Sequence, residues 1–435
     1  MIMEVERVGV VESGWVWLRA IPVNAGAAMV GFAEQARKIA ADDPRKLIHS
    51  FKVGLALTLV SLFYYFQPLY TSFGVSAMWA VMTVVVVFEF SVGATLGKGV
   101  NRGLATLAAG ALGLGAHHLA TVTGKTCEPI LIGLFVFLQA VAATFIRFFP
   151  RVKARYDYGV LIFILTFCLV SISGLRSDEI VGFAQKRFST IVIGAAACVV
   201  VSIFVYPVWA GQDLHNLVAK NIDKLGTFLQ AFGDECFTRP EAPETLVGLH
   251  AILDSKSSLE TLANFARWEP GHGAFMYRHP WKQYLKIASL TRQCAYRVEP
   301  LNAYLNSQTQ APQDIQEIIS RMSSESGKAL KELAWTVETM TRPDSHESNL
   351  RIASKNLHSL IKSDFWEDQK DISVVIPVAA VASLLNDIVS CVEAIAAAID
   401  ELSSLANFKQ PDKPPPLVSV VVDDGLKQES MSSSS

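Results

Sequence analysis

Residues 53–88 run for 36 positions without an aspartate, glutamate, lysine or arginine. As one helix that run would reach about 54 Å, against roughly 30 Å of bilayer hydrocarbon. The chain has to turn inside it. Gln67-Pro68-Leu69-Tyr70-Thr71-Ser72 is the polar, proline-bearing place to do so. A first membrane helix is therefore expected near 50–66 and a second near 72–90.

The following segments extend the pattern. A third helix near 93–119 is rich in glycine, with Gly93-x-x-x-Gly97 and Gly99-x-x-x-Gly103, then Gly110, Gly113 and Gly115. Small faces allow close helix approach in lipid. The bland alternative is that glycine is common in membrane helices anyway. Helices four, five and six are expected near 129–148, 158–175 and 188–206, each about one crossing long. The fold class is thus an all-α membrane protein with six transmembrane helices over 49–207. An N-terminal cytosolic segment, 1–48, precedes them and could lie on the membrane surface.

Charge divides the chain. Residues 1–206 carry 17 Lys/Arg and 11 Asp/Glu, whereas 207–435 carry 21 and 29. One half is apolar and basic, the other polar and acidic. The basic half does not suggest nucleic acid, because its charges sit among runs of lipid length. Eleven cations flank one side of the predicted helices: Arg37, Lys38, Arg45, Lys46, Lys52, Lys98, Arg102, Arg147, Arg151, Lys153 and Arg155. Only Lys125, Arg176, Lys186 and Arg187 flank the other. The positive-inside rule places the N-terminus in the cytosol, and an even number of crossings places the C-terminus there too.

The second half, 208–408, reads as a cytosolic helical bundle. Helices are expected over 211–236, 244–266, 280–308, 312–340 and 346–369. The stretch 370–405 imitates a seventh crossing, but Asp387 and Glu393 interrupt it. Val378, Val381, Leu385, Ile388, Val392, Ile395 and Ile399 recur at helical spacing. That pattern fits an amphipathic helix buried in the bundle. The tail, 409–435, is rich in proline and then in Asp, Gly and Ser, and is expected to be disordered. Its serines could accept phosphate.

Nothing in the chain suggests an enzyme. There is no phosphate-binding loop, dinucleotide fingerprint, zinc-protease motif or nucleophile elbow. The six cysteines form no CxxC, and no cofactor or metal is expected. His117 and His118 are adjacent, so they do not face one ligand on a helix. Asp178-Glu179 at an external mouth could attract a cation or be a solvated loop. The informative side chains are cations at membrane depth. Lys98 and Arg102 are four apart and share a helix face. Arg147 lies within Phe145-Ile146-Arg147-Phe148-Phe149, Arg176 closes helix five, and Lys186-Arg187 opens helix six. A cation in lipid has to snorkel, pair or face water. Rings of Lys and Arg along a water-filled path attract anions and repel cations. An arginine fork suits a carboxylate and a lysine offers a mobile point charge. Glu89 is the carboxylate close in sequence to Lys98. The competing reading is that these cations only anchor helix ends.

The residues Phe88-Glu89-Phe90-Ser91-Val92-Gly93-Ala94-Thr95-Leu96-Gly97-Lys98-Gly99-Val100-Asn101-Arg102-Gly103, with Tyr156-Asp157-Tyr158-Gly159 and Trp268-Glu269-Pro270, resemble the plant aluminium-activated malate transporters. The long N-terminal extension and the chain as a whole resemble the guard-cell branch of quickly activating, voltage-dependent (R-type) anion channels. The resemblance implies a plasma-membrane homodimer with six crossings per subunit and a helical cytosolic domain. It implies malate as permeant and regulator, with chloride, nitrate and sulfate as co-permeants; a kinase acting on cytosolic segments is a separate expectation, which the serine count alone does not imply. Basic residues matching Lys98 and Arg102 then border the conduction path. Trp268-Glu269-Pro270 marks a functional cytosolic turn in which Trp268 packs, Pro270 stops a helix and Glu269 could meet a basic partner. Two other classes fit the residues less fully: a secondary organic-acid transporter working by alternating access, and a membrane scaffold that transports nothing.

Overall fold

The computed structural model describes residues 30–66, 78–124, 126–173, 180–235, 243–305, 313–342 and 372–409. Compactness divides the chain into two units. The first holds Met1–Leu214 with Ser257–Lys282, and the second holds His215–Lys256 with Gln283–Ser435. Both are helical, and the chain is an all-α, multi-pass membrane protein. The described residues contain no β-strand beyond two isolated bridges.

In the first unit a helical stretch over 30–42 leads to α1 (Pro44–Tyr65), α2 (Met78–Val87), α3 (Val92–Val122), α4 (Glu128–Ile146), α5 (Pro150–Ser173) and α6 (Ile180–Phe204). Local chemistry sets their starts. Asp43 caps α1 by accepting from Arg45 N at 3.1 Å, with Pro44 in the first turn. Ser91 caps α3 by accepting from Ala94 N at 3.3 Å. Helix α3 packs most extensively on α5 and also on α6, while α2 packs on α6. A core of Ala56, Val60, Ala80, Val84, Val87, Phe88, Cys198 and Val201 joins α1, α2 and α6.

Two boundaries differ from the sequence reading. Helix α5 starts at Pro150, eight residues before the expected start at 158, because proline is well placed in a first turn. Helix α6 starts at Ile180, not near 188. Lys186 and Arg187 therefore lie two turns inside it and do not open it. The proposed turn at 67–72 and the residues Arg176, Asp178 and Glu179 lie outside the described residues.

By length and composition five described helices could cross a bilayer: those over Pro44–Phe63, Glu128–Ile146, Pro150–Ser173, Ala184–Phe204 and Ala379–Leu405. Met78–Val87 is apolar but shorter. Helix α3 is absent from that set. Its interior carries Lys98, Asn101, Arg102, His117 and His118.

The chain continues through α7 (Ala210–Glu235), α8 (Pro243–Asp254), α9 (Lys256–Ala266), α10 (Trp281–Leu305), α11 (Gln313–Thr339) and α12 (Ile372–Leu405). The expected single helix over 244–266 is two. Ser255 interrupts it, its hydroxyl donating to the Ile252 carbonyl at 2.6 Å. The helix expected over 346–369 lies outside the described residues. In the second unit α12 packs on α11. Leu385, Ile388, Val392, Ile395, Ile399 and Leu402 are fully buried along one side of α12, whereas Asp387 and Glu393 are exposed. That amphipathic burial is the pattern of a bundle helix.

Candidate functional site

The site is built on α3. Ten residues separate Val92 from Arg102, about 15 Å of helix. Seven residues separate Ile180 from Arg187, about 10 Å. Within a hydrocarbon layer of roughly 30 Å both guanidiniums are set well in from their helix ends. They are deeply buried, Arg102 at 4% exposure and Arg187 at 2%.

Neither arginine meets a carboxylate among the described residues. Arg102 Nη1 donates to the Tyr158 hydroxyl at 2.9 Å, and its Nε has no hydrogen-bond partner among those residues. Arg187 lies 3.9 Å over the Trp79 ring, and its Nε and Nη1 likewise lack partners there. A desolvated cation over an indole gains about 2 kcal/mol, less than the cost of holding the charge in the membrane. The result is a pair of buried cations with spare N–H donors, an arrangement that an anion would complete.

The remaining predicted cations are distributed differently. Lys98 is half-buried, bonds Glu89 and lies 5.6 Å from the Tyr158 ring centre. Glu89 thus meets the cation that its place in the sequence suggested. Arg147 is held by Asp157 through two bonds, Nε to Oδ1 at 2.7 Å and Nη2 to Oδ2 at 3.1 Å. Lys186 is exposed on α6. Lys52, which the sequence reading counted among the flanking charges, is fully buried and donates to the Tyr206 carbonyl at 3.2 Å.

Beside Lys98 lies a cavity of about 250 Å³ lined by Asn101, Lys153, Arg155, Asp157, Tyr158 and Trp268, among others. Three cations and one carboxylate border it. Arg155 lies 5.6 Å from the Trp268 ring. Trp268 reaches this place because the α3 glycines receive it. A Cβ at Gly97 would sit 2.9 Å from the Trp268 ring, and one at Gly93 would collide with the Phe265 carbonyl. By contrast, no atom of the described residues lies within 4 Å of a Cβ at Gly103, Gly110 or Gly115. The first glycine pair therefore receives the 265–269 turn, and Gly99 and Gly113 face α6 and α5.

Glu269 is 6% exposed, and it meets backbone where the sequence reading offered a basic partner. Its Oε1 accepts from Ala210 N at 2.6 Å and its Oε2 from Gly211 N at 3.0 Å, and it also accepts from Gly93 N. One carboxylate thus caps the starts of α3 and α7 together, where helix dipoles favour an anion. Val92 N donates to Val208 O at 2.9 Å beside it. Burial pushes the Glu269 carboxyl above its ordinary range, and these N–H bonds only partly offset that. Pro270 lies four residues beyond the end of α9 at Ala266, so the helix has already stopped before it.

Charge pattern alone could not find Trp79, Asn101 or Tyr158, which carry no charge. Tyr158 was visible only within its four-residue motif. His117 lies 3.7 Å from Glu128, and no cluster of three metal-binding side chains occurs among the described residues.

A family model described as aluminium activated malate transporter matches residues 37–367. Aluminum-activated malate transporter 2 of Arabidopsis thaliana is 55% identical over 396 residues, covering 87% of this chain and 79% of that protein. Aluminum-activated malate transporter 1 of Triticum aestivum is 42% identical over 442 residues, covering 97% and 96%. Aluminum-activated malate transporter 12 of Arabidopsis thaliana is 43% identical over 334 residues, covering 74% and 60%.

Proposed function

Because this chain belongs to the aluminium-activated malate transporter family, we propose that it is a voltage-dependent, malate-sensitive anion channel. It is a membrane transport protein and not an enzyme. In this reading it passes malate and inorganic anions, including chloride, nitrate and sulfate, across the plant plasma membrane. Six helices, α1 to α6, cross the bilayer, the region after 208 is cytosolic with both termini, and two copies form a homodimer. Guard-cell expression with rapid activation is part of the proposal, as is phosphorylation of cytosolic segments by a kinase.

One observation carries the reading. Arg102 and Arg187 are buried, and each keeps N–H donors without an acceptor among the described residues. Evolution of a purely structural helix pair would neutralise or remove such charges, since each costs several kcal/mol in lipid. A passing carboxylate supplies the missing acceptors without a permanent trap. Lys98, Lys153 and Arg155 then concentrate anions at one mouth.

The test is voltage clamp after heterologous expression, exchanging malate for chloride on each side. Arg187→Gln and Arg102→Gln should reduce malate conductance and shift the reversal potential, with surface expression measured in parallel. Unchanged conductance and selectivity in both would remove the pair from the path. Transport without unitary current steps would favour alternating access over a channel.

A further inference from the structure

We propose that Cys294 and Cys391 form a peroxide-sensitive dithiol site in the second unit, oxidised reversibly to a disulfide joining α10 to α12. The geometry starts from side chains other than the cysteines. Gln283 Nε2 donates to Glu401 at 2.9 Å and to the Ala398 carbonyl at 2.8 Å. Lys286 Nζ donates to the same Glu401 at 2.7 Å. Further along α10, Arg297 Nε lies 3.8 Å from Asp387 Oδ2. Going forward from Gln283 to Arg297 takes as many residues as going back from Glu401 to Asp387. The two helices are antiparallel and in register between these points. That register brings Cys294 level with residues 390 and 391, and the two thiols are hydrogen-bonded to each other.

The pair is asymmetric in the way a redox couple requires. Cys294 is fully buried, whereas Cys391 is half-buried and reachable. Both thiols are free. The Cys294 S–H donates to Cys391 sulfur, and the charge of Arg297 on α10 favours the Cys391 thiolate; together they draw its pKa down, against burial and Asp387. Partly exposed thiolates in electropositive surroundings are the reactive ones, and buried thiols are inert until a partner presents itself. Cys391 is the attacking sulfur and Cys294 the resolving one.

The chemistry balances with a hydroperoxide as oxidant. Cys391 thiolate attacks one peroxide oxygen, the O–O bond breaks, and the leaving oxygen takes a proton and departs as water or an alcohol. Cys391 is now a sulfenic acid. Cys294 loses its proton and attacks that sulfur, the S–O bond breaks, and water leaves. Two thiols have given up two electrons to the peroxide, and a dithiol reductant reverses the step.

The experiment uses the full-length protein in detergent or lipid nanodiscs, treated with hydrogen peroxide, alkylated and digested without reductant for peptide mass spectrometry. A Cys294–Cys391 linked peptide is expected, and it should disappear with dithiothreitol. In Cys294→Ser, a dimedone adduct should accumulate on Cys391 at least ten-fold faster than on the exposed Cys127. In Cys391→Ser, Cys294 should stay unmodified. Two free thiols at 294 and 391 after a dose that oxidises Cys127, or linkage of either to another cysteine, would overturn the proposal. If a serine variant does not fold, the wild-type linked peptide and the comparison with Cys127 decide alone.

Discussion

Replacing Glu269 separates the work of its oxygens from the work of its charge. The carboxylate receives N–H groups from Ala210, Gly211 and Gly93. Desolvation outweighs those bonds, because the group's pKa is raised above 4.5. The ionised form is therefore not what stabilises the fold; the acceptor geometry is. Glu269→Gln keeps one carbonyl oxygen and turns an amide toward an N–H, so about one bond is lost, costing about 1 kcal/mol. Glu269→Ala leaves up to three buried donors without an acceptor, at about 1–3 kcal/mol each, and is expected to cost about 3–5 kcal/mol in all. Thermal unfolding in detergent gives the totals, and hydrogen exchange of the amides of 208–214 locates the loss. The pH dependence has a fixed sign. The folded state holds the Glu269 proton more firmly than the unfolded chain, so this contribution is complete below 4.5 and is lost as pH rises through the raised value. The wild type should therefore gain on Glu269→Gln as pH is lowered through that value. A glutamine variant as unstable as the alanine variant would show that charge holds the two helix starts, and the reasoning would fail.

Three further outcomes follow from particular contacts. Gly97→Ala places a Cβ 2.9 Å from Trp268 and should cost about 1–3 kcal/mol, most of it recovered in the double variant with Trp268→Ala; strict additivity in that cycle would mean the two do not touch. Asp157→Asn takes away the carboxylate that holds Arg147, and the freed guanidinium should raise malate permeability relative to chloride in reversal-potential measurements; an unchanged ratio puts Arg147 off the path. His215, buried between the Tyr284 hydroxyl at 3.0 Å and the Glu338 carbonyl at 3.3 Å, has its pKa lowered from 6.5 by burial. Its contribution to the second unit is complete above 6.5 and lost as pH falls through the lowered value, so denaturant midpoints should drop between pH 7.5 and 5.5 and His215→Asn should flatten that drop.

The helical segments were legible because lipid and a bundle core both demand periodic apolar surface. Residues expected at 129–148 fold as Glu128–Ile146, and 211–236 as Ala210–Glu235. Boundaries failed where a polar residue is tolerated inside a helix. Lys186 and Arg187 suggested a helix start, but α6 begins about two turns before them, and Arg187 lies inside it over the Trp79 ring. The partner of Lys98 was readable from spacing, since Glu89 is the near carboxylate. The partners of Arg102 and Arg187 were not, because an aromatic ring from a distant helix leaves no charge signature. Spacing likewise marked Gly93 and Gly97 as small, but not that a turn from residues 265–269 would be what fills the space. Such contacts are set by tertiary placement and leave no local period to detect.

That glycine-lined seat has a consequence for how the protein is made. Its lodger, Trp268, lies about 170 residues downstream of Gly97 in the chain. At about 5–20 residues per second, synthesis takes on the order of ten to thirty seconds to deliver it. For that interval the start of α3 waits with its groove empty, and α4 to α6 are synthesised before the wedge arrives. A nascent chain stopped before residue 265 would carry all the predicted spans and still lack the wedge that completes the first unit. Quality control of truncated products should therefore recognise an open seat on α3, not a missing span.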